Sequence, residues 1–218
     1  PSPSPSPSPS PSITMSADIL ARLEAVASRL ESYAHAVASG SVSSGASGAA
    51  ASGGVPREVE DYDQFYNEHV VPFVNAAKKS KETEAIGSWA ERAWGFVRTA
   101  IFASKQSKKP ADAALAKFVE PLSAVITETQ KPNRTIPANH AKAFGDAVVA
   151  TSWFTQGGNA RAFAQDQLEQ VDFWLIKILK EGKDSGKADF TEFAQKLKVL
   201  LQKQVEFIGD NYRAGLEW

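Results

Sequence analysis

From residue 57 to residue 218, apolar side chains recur every three or four positions along the chain. This spacing gathers them on one face of an α-helix, and the two-residue alternation of a half-buried strand is not found in these residues. Six such segments follow one another, separated by short polar stretches that contain glycine, proline or lysine. Because short connections join antiparallel helices, the sequence predicts an all-α domain built as a six-helix antiparallel bundle over residues 57–218.

Prolines, glycines and charged runs indicate where the six helices begin and end. The first two helices are predicted over residues 57–79 and 82–106, and the fourth is expected to extend through Trp153. TQGGN (155–159) is expected to break the chain before the fifth helix, and KEGKDSGK (180–187) to separate the fifth from the sixth. Prolines suit the first turns of the third and fourth helices and bends within the first and third: Pro110, Pro137, Pro72 and Pro121.

The residues that precede the bundle divide into three parts by composition. Residues 1–15 open with a strict Pro–Ser alternation, which opposes helix and sheet and predicts a disordered segment. Met15 would suit a natural start, in which case residues 1–14 are foreign to the protein. Residues 39–56 are rich in Ser, Gly and Ala and are expected to form a flexible linker. Between these two parts, residues 16–38 read SADILARLEAVASRLESYAHAVA and predict a helix.

The larger apolar residues of segment 16–38 are spaced alternately by four and three positions, as in the seam of a coiled coil: Ile19, Leu23, Val26, Leu30, Tyr33 and Val37. Leucine at a positions with β-branched residues at d positions favours three or more strands. Arg22 and Arg29 each open an Arg-Leu-Glu tripeptide and flank this seam. The helix could instead pack on its own bundle, but a flexible linker offers no rigid way to dock it. We therefore predict that the chain forms a homo-oligomer, a trimer or larger.

Charge and residue content narrow the possible functions. The chain has 24 basic and 25 acidic side chains, so no net charge draws it to nucleic acid, and no apolar run reaches the roughly 18 to 20 residues of a membrane span. There is no cysteine, and His35, His69 and His140 are dispersed without metal-like spacing. The basic runs KKSK (78–81) and KQSKK (105–109) either complement helix dipoles or meet an acidic partner. The sequence predicts a cytoplasmic binding protein with no catalytic, cofactor or metal site.

Several motifs, and the order in which they occur, resemble one known family. The two Arg-Leu-Glu tripeptides precede a low-complexity linker and then a helical domain that contains VVPFV (70–74), FWLIKILKEGK (173–183) and AGLEW (214–218). In this order and spacing the motifs are similar to those of the amino-terminal half of the cyclase-associated protein family. The resemblance covers residues 16–218.

The resemblance implies a six-helix bundle that binds actin together with cofilin at filament pointed ends and promotes depolymerisation. It also implies that the amino-terminal coiled coil assembles the chains into a tetramer to hexamer, and that the protein is cytoplasmic and associated with the cytoskeleton. In fungal members the Arg-Leu-Glu segment binds adenylyl cyclase, a role that would fall to Arg22 and Arg29 here. The alternative is an oligomeric helical scaffold or signalling adaptor, adenylyl cyclase binding included. A helical-bundle enzyme or lipid carrier is a third possibility.

Polar residues in exposed loops are the predicted contacts for a partner protein, because loops held by a rigid scaffold often carry function. They are Lys131, Asn133, Arg134, Asn159 and Arg161. The first three belong to TQKPNRTIP (129–137), and the other two belong to FTQGGNARAF (154–163). The second stretch departs from the resemblance, since the family usually has a proline- and aromatic-bearing loop after the Trp of the fourth helix.

Overall fold

The computed structural model of the protein describes residues 54–218, which form six helices and no strand. Helix α1 consists of three consecutive segments, Arg57–Phe65, Tyr66–Val70 and Val71–Lys78. Helices α2 to α6 span, in order, Glu84–Gln106, Asp112–Thr129, Ala138–Ala147, Ala160–Ser185 and Ala188–Asn211. The predicted all-α class and the six-helix bundle are confirmed. Within these residues no helix is both long and apolar enough to cross a membrane.

Helix α1 accommodates Pro72 through a change of helix type. The segment Tyr66–Val70, immediately before this proline, is π-helical. A proline inside an α-helix removes one backbone hydrogen bond and crowds the carbonyl four residues earlier, which here belongs to Glu68. The wider π-helical turn places that carbonyl in a segment that no longer follows the α-helical hydrogen-bond pattern. The bend predicted at Pro72 is thus expressed as a π-helical stretch upstream of it.

Helix α4 ends six residues before Trp153, and the chain continues as a 3₁₀-helix over Val148–Thr155. The α-helical prediction through Trp153 therefore differs from the structure in helix type. The hydroxyl of Ser152 donates to the carbonyl of Val149 at 2.8 Å, and that of Thr155 to the carbonyl of Ser152 at 2.8 Å. Both side chains bond to carbonyls three residues back, as Ser104 and Thr129 also do within α-helices, so these bonds accompany the 3₁₀ segment without determining its type.

Helix α5 is longer than predicted, because most of KEGKDSGK (180–187) is helical. The helix reaches Ser185, and Gly186 then adopts a left-handed conformation with φ of 68°. The amide of Lys187 donates to the carbonyl of Gly182 at 2.9 Å, as in a Schellman motif. The resulting turn is so short that α6 runs back directly along α5. Lys198 Nζ accordingly lies 3.0 Å from Asp172 Oδ1, between the middles of the two helices.

Aromatic side chains fill the centre of the bundle. The ring of Phe144 on α4 lies 6.1 Å from that of Phe73 on α1 and 6.4 Å from that of Trp94 on α2. Phe193 on α6 completes the group, with its ring 5.2 Å from that of Phe73. All four side chains are buried. Large rings brought in from four helices therefore form one continuous core, as the number of Phe and Trp residues in the sequence suggests.

A buried chain of hydrogen bonds crosses this core. The indole nitrogen of Trp94 donates to Gln204 Oε1 at 2.7 Å, and Gln204 Nε2 donates to the carbonyl of Ala150 at 2.9 Å. The hydroxyl of Tyr62 donates to the carbonyl of Trp94 at 2.8 Å. The network joins α1, α2, α6 and the 3₁₀ segment, and it pairs polar groups that have no access to water.

The residues after α6 fold back over the bundle, and we call residues 212–218 the C-terminal clasp. Gly215 has φ of 86° and lies so close to Gly157 that a Cβ atom on it would be 2.5 Å from the Gly157 carbonyl oxygen. The ring of Trp218 lies 6.2 Å from that of Phe118 on α3. Since α3 buries few of its own residues, namely Leu122, Val125 and Thr129, the clasp supplies part of its packing.

Candidate functional site: an aromatic and basic surface on α4 and α5

Helix α5 presents large apolar side chains to solvent. Phe173 is 56 % exposed and Ile176 is 67 % exposed, more than any other large hydrophobic residue among residues 54–218. They lie on the side of α5 opposite to the buried residues Val171, Leu175 and Ile178. With Lys177 and Lys180 at the same helical spacing, they form what we call the α5 ridge: Phe173, Ile176, Lys177 and Lys180.

Cation–π contacts order the aromatic side chains of this ridge. Lys177 Nζ lies 4.2 Å from the ring centre of Phe173 and 4.7 Å from that of Trp174. The two rings are themselves 4.9 Å apart in an edge-to-face arrangement. From α4, Lys142 Nζ lies 4.6 Å from the centre of the Trp174 ring, and the indole nitrogen donates to Asp146 at 3.0 Å. Contacts from residues of both α4 and α5 therefore fix the position of Trp174.

A cleft of about 810 Å³ lies beside Trp174, and we call it the α3–α4 cleft. Its walls are the loop that connects α3 to α4 and the exposed side of α4. Apolar groups line much of it: Pro132, Ile136, Pro137, Ala141 and Trp174. The amide of Thr135 donates to Asn133 Oδ1 at 2.9 Å, a local turn that shapes the loop. Trp174 belongs both to the cleft and to the edge of the α5 ridge, so the two form one surface.

Three basic side chains of the cleft have no carboxylate partner in the described part of the bundle. Lys131, Arg134 and Lys142 line the cleft, and none of them forms an ion pair with a carboxylate of residues 54–218. Asp146, an acidic residue of the lining, accepts the hydrogen bond from Trp174. The cleft therefore combines an apolar lining with an excess of positive charge.

The runs KKSK (78–81) and KQSKK (105–109) contain cations that are used inside the domain. Lys79 Nζ lies 2.7 Å from Glu192 on α6, and Lys105 Nζ lies 3.0 Å from Glu58 on α1. Both contacts are ion pairs between helices of the bundle, a role that differs from the two left open by the sequence.

The structure brings together three of the predicted partner contacts. Lys131, Asn133 and Arg134 all line the α3–α4 cleft. Asn159 and Arg161 lie at the opposite end of α5, where Arg161 packs against Gly209 of α6. Trp174 lies thirteen helical positions after Arg161, a distance of about 20 Å along the axis. The five residues therefore fall on two separate surfaces, and their contact with a partner stays a prediction.

The predicted oligomerisation residues and the flanking Arg22 and Arg29 lie outside the described residues, as does nearly all of the predicted linker. The coiled coil over residues 16–38 accordingly stays a prediction.

The sequence interpretation misses the α5 ridge, although one signal for it is present. The run VDFWLIKIL (171–179) has more large apolar residues than one buried face of a helix can hold. Val171, Leu175 and Ile178 account for the buried face, which leaves Phe173 and Ile176 on the other side. A helical segment with more large apolar residues than its buried face can hold thus indicates an exposed apolar patch.

Residues with catalytic or metal-binding chemistry do not converge in the described part of the chain. No group of three or more His, Asp or Glu residues there is placed to hold a metal ion. His69 is partly exposed beside the ring of Phe65, and His140 is enclosed by the rings of Phe190 and Phe193. The surface of cleft and ridge is suited to binding another molecule and offers no nucleophile with an adjacent base.

Comparison with known families decides the affiliation of the chain. The family sequence model for the CAP N-terminal domain matches residues 62–216, and the one for the CAP N-terminal conserved motif matches residues 17–56. The chain belongs to the CAP, or cyclase-associated protein, family. The resemblance inferred from the motifs is thereby confirmed, and the two matches correspond in order to the predicted helix and the six-helix bundle.

Curated CAP relatives come from distant organisms. Adenylyl cyclase-associated protein of Dictyostelium discoideum is 25 % identical over 216 residues, which cover 92 % of this chain and 45 % of the relative. Cyclase-associated protein 1 of Arabidopsis thaliana is 27 % identical over 221 residues, covering 94 % of this chain and 46 % of the relative. The chain spans about half the length of the curated relatives that it matches.

Solved CAP structures share the fold. The N-terminal domain of the adenylyl cyclase-associated protein from Dictyostelium discoideum aligns with a TM-score of 0.66 and 21 % identity, over 73 % of this chain and 93 % of that one. A further crystal structure of the N-terminal domain of CAP, described as indicating variable oligomerisation, aligns with a TM-score of 0.67 and 20 % identity, over 77 % and 94 % of the two chains. These alignments support the helical fold of the CAP N-terminal domain.

Proposed function

We propose that this protein is an actin-binding regulator of filament turnover, which binds actin with cofilin at filament pointed ends and promotes depolymerisation. The match of residues 17–56 and 62–216 to the two CAP N-terminal models carries the proposal. The activity itself is the one implied by the family resemblance. In this proposal the protein is a cytoplasmic, cytoskeleton-associated binding protein and not an enzyme.

The proposed mechanism combines multivalency with a difference in affinity. A coiled coil over residues 16–38 would gather several bundles, and the linker over 39–56 would let each reach its own site. Linking weak sites raises their effective concentration at a target with repeated sites, and a filament is such a target. A bundle that binds the terminal subunit better than the in-filament conformation lowers the free energy needed for subunit release. No covalent step is required.

A second candidate is an oligomeric scaffold or signalling adaptor that binds adenylyl cyclase. The relatives from Dictyostelium discoideum and Hydra viridissima carry the name adenylyl cyclase-associated protein, which favours this candidate over other adaptors. The contact would involve the Arg-Leu-Glu segment with Arg22 and Arg29. Reversing both charges should abolish co-purification with the cyclase and leave the folded bundle unchanged.

The proposed function is tested by watching single fluorescent actin filaments while the protein is added, with and without cofilin. We expect faster loss from pointed ends, only when cofilin is present. An unchanged rate with a protein shown to be folded and multimeric would contradict the proposal and leave the adaptor as the better candidate. Replacing Lys131 and Arg134 with glutamate, compared with the same replacement at Asn159 and Arg161, would show which of the two predicted surfaces contributes.

A further inference from the structure

We propose that the α3–α4 cleft and the α5 ridge form one docking surface for a protein segment that carries a bulky apolar side chain flanked by carboxylates. The inference rests on the proposed function only in requiring a protein partner, and it does not depend on that partner being actin.

The apolar part of the surface is large and lacks a partner within the described part of the bundle. Phe173 and Ile176 are each more than half exposed, although burying such side chains is favourable. The cleft of about 810 Å³ adjoins them through Trp174. Contiguous exposed apolar surface of this kind usually marks an interaction site. A bulky side chain of a partner would enter the cleft beside Trp174 while its neighbours contact the ridge.

The charges around the apolar part favour an acidic partner. Lys131, Arg134 and Lys142 line the cleft without ion pairs in the described part of the chain, and Lys177 and Lys180 stand on the ridge. The carboxylates beside the cleft are engaged, since Asp146 accepts a hydrogen bond from Trp174 and Glu128 forms an ion pair with Arg92. Beside the ridge, Glu181 accepts a hydrogen bond from Asn139 at 3.2 Å and Asp184 lines the same hollow as Lys177 and Lys180, so the unpaired positive charge lies mainly at the cleft. Carboxylates on the partner would therefore meet the cleft cations without displacing a carboxylate of residues 54–218, which gives the interaction its orientation.

The shape of the surface favours a protein segment over a small molecule. The cleft is continuous with a ridge that extends about 10 Å along α5, so a ligand confined to the cleft would leave the ridge exposed. Nucleic acid is disfavoured because the chain carries a net charge of −1 and the centre of the surface is apolar. Aromatic and Arg side chains next to each other are also the usual anchors of protein interfaces.

To test this proposal, peptides that bind the intact chain are selected from a displayed library of random sequences. Their affinities are then measured by fluorescence anisotropy. We expect recovered peptides to place Phe, Leu, Ile or Trp next to Asp or Glu, and to bind more weakly as salt increases. Arg134→Glu and Phe173→Ser should each weaken binding by about tenfold or more. Lys109→Glu and Phe102→Ser, matched changes at exposed residues of other surfaces, should leave affinity within about twofold.

Three results would overturn the proposal. The first is a failure to recover peptides, the second is recovery of basic or uncharged ones, and the third is an equal loss of affinity in test and control variants. Vesicles containing phosphatidylserine are tested in parallel; if they bind in an Arg134-dependent way and no peptide does, the surface recognises lipid instead. Melting temperatures of all variants should agree, because the substituted side chains lie at the surface.

The same variants separate this inference from the proposed function. If Phe173→Ser loses peptide binding but still accelerates cofilin-dependent depolymerisation, the docking surface is real and serves another partner. If the unmodified protein binds acidic apolar peptides but leaves filaments unchanged, the proposed function alone is wrong.

Discussion

The side-chain amide of Gln204 forms two buried hydrogen bonds. Its oxygen accepts one from the indole nitrogen of Trp94, and its nitrogen donates one to the carbonyl of Ala150. Gln204→Ala leaves both partners unpaired and creates a small cavity. We expect the free energy of unfolding to fall by about 2 to 4 kcal/mol. Urea denaturation measures this, and Gln202→Ala, an exposed glutamine on the same helix, should change it by less than about 0.5 kcal/mol. Similar values for the two variants would show that the network adds little to stability.

His140 makes stability depend on pH. It is fully buried against Phe190 and Phe193, and neither ring nitrogen has a hydrogen-bond partner among residues 54–218. Burial lowers the pKa of His140 to about 4, although Glu181, Asp189 and Glu82 oppose the shift and Lys187 adds to it. The unfolded chain therefore takes up a proton near pH 6.5 that the folded protein accepts only near pH 4.

Stability should consequently decrease as pH falls through this window, by up to about 3 kcal/mol from His140. His140→Leu removes the titrating group and keeps an apolar side chain of similar size. We expect urea denaturation of the variant between pH 6.5 and 4 to show a clearly smaller loss of stability than that of the unmodified protein. Parallel curves for the two proteins would mean that other groups cause the acid sensitivity.

At the scale of elements, the turn between α5 and α6 depends on the left-handed conformation of Gly186. Gly186→Ala should lower the free energy of unfolding by about 1 kcal/mol, because a Cβ atom disfavours that backbone conformation. Gly95→Ala is the matched comparison: Gly95 lies inside α2, and a Cβ atom there would meet no neighbouring side chain or helix within 4 Å, so alanine should stabilise the helix by about 0.5 to 1 kcal/mol. Chemical denaturation should thus show a lower free energy of unfolding for Gly186→Ala and a higher one for Gly95→Ala.

The helical pattern is sufficient to predict the number and order of the helices, but not where each ends or which type it adopts. KEGKDSGK (180–187) has the composition of a loop because it is polar and contains two glycines. In the structure Gly182 is helical and packs closely on α6, and the turn is confined to Gly186 and its neighbour. Composition alone does not distinguish Gly182 from Gly186. The contact of Gly182 with α6 keeps it helical, and Gly186 forms the turn. The 3₁₀ segment Val148–Thr155 is likewise hard to recognise, because its period is close to that of an α-helix.

The candidate site can be predicted only in part, for a related reason. Lys131, Asn133 and Arg134 are recognisable because polar residues in a proline-bearing loop are exposed in any arrangement of the helices. Phe173 and Ile176 are not, because the sequence does not specify which apolar residues of α5 remain without a partner once α4 and α6 have packed. Asn159 and Arg161 resemble the first three in residue type, whereas the length of α5 keeps them apart.

At the scale of the whole molecule, the predicted coiled coil should determine the mass of the particle in solution. Leu23→Asp combined with Leu30→Asp places charges in the seam, and we expect light scattering to report the mass of one chain. Glu24→Ala with Glu31→Ala, at the outer b positions of the same heptads, should leave the multimer intact. Multimers that persist with both aspartates present would show that another part of the chain mediates assembly.

The C-terminal clasp also affects when this domain can complete its folding during synthesis. Gly215 lies against Gly157, and Trp218 packs on Phe118, so the closing contacts join residues far apart in the chain. Residues 212–218 emerge from the ribosome after every helix of the bundle has emerged. Until then α3 lacks the cover that Trp218 provides, and it has few buried residues of its own. We therefore expect the nascent domain to become fully resistant to protease only after residues 212–218 have emerged.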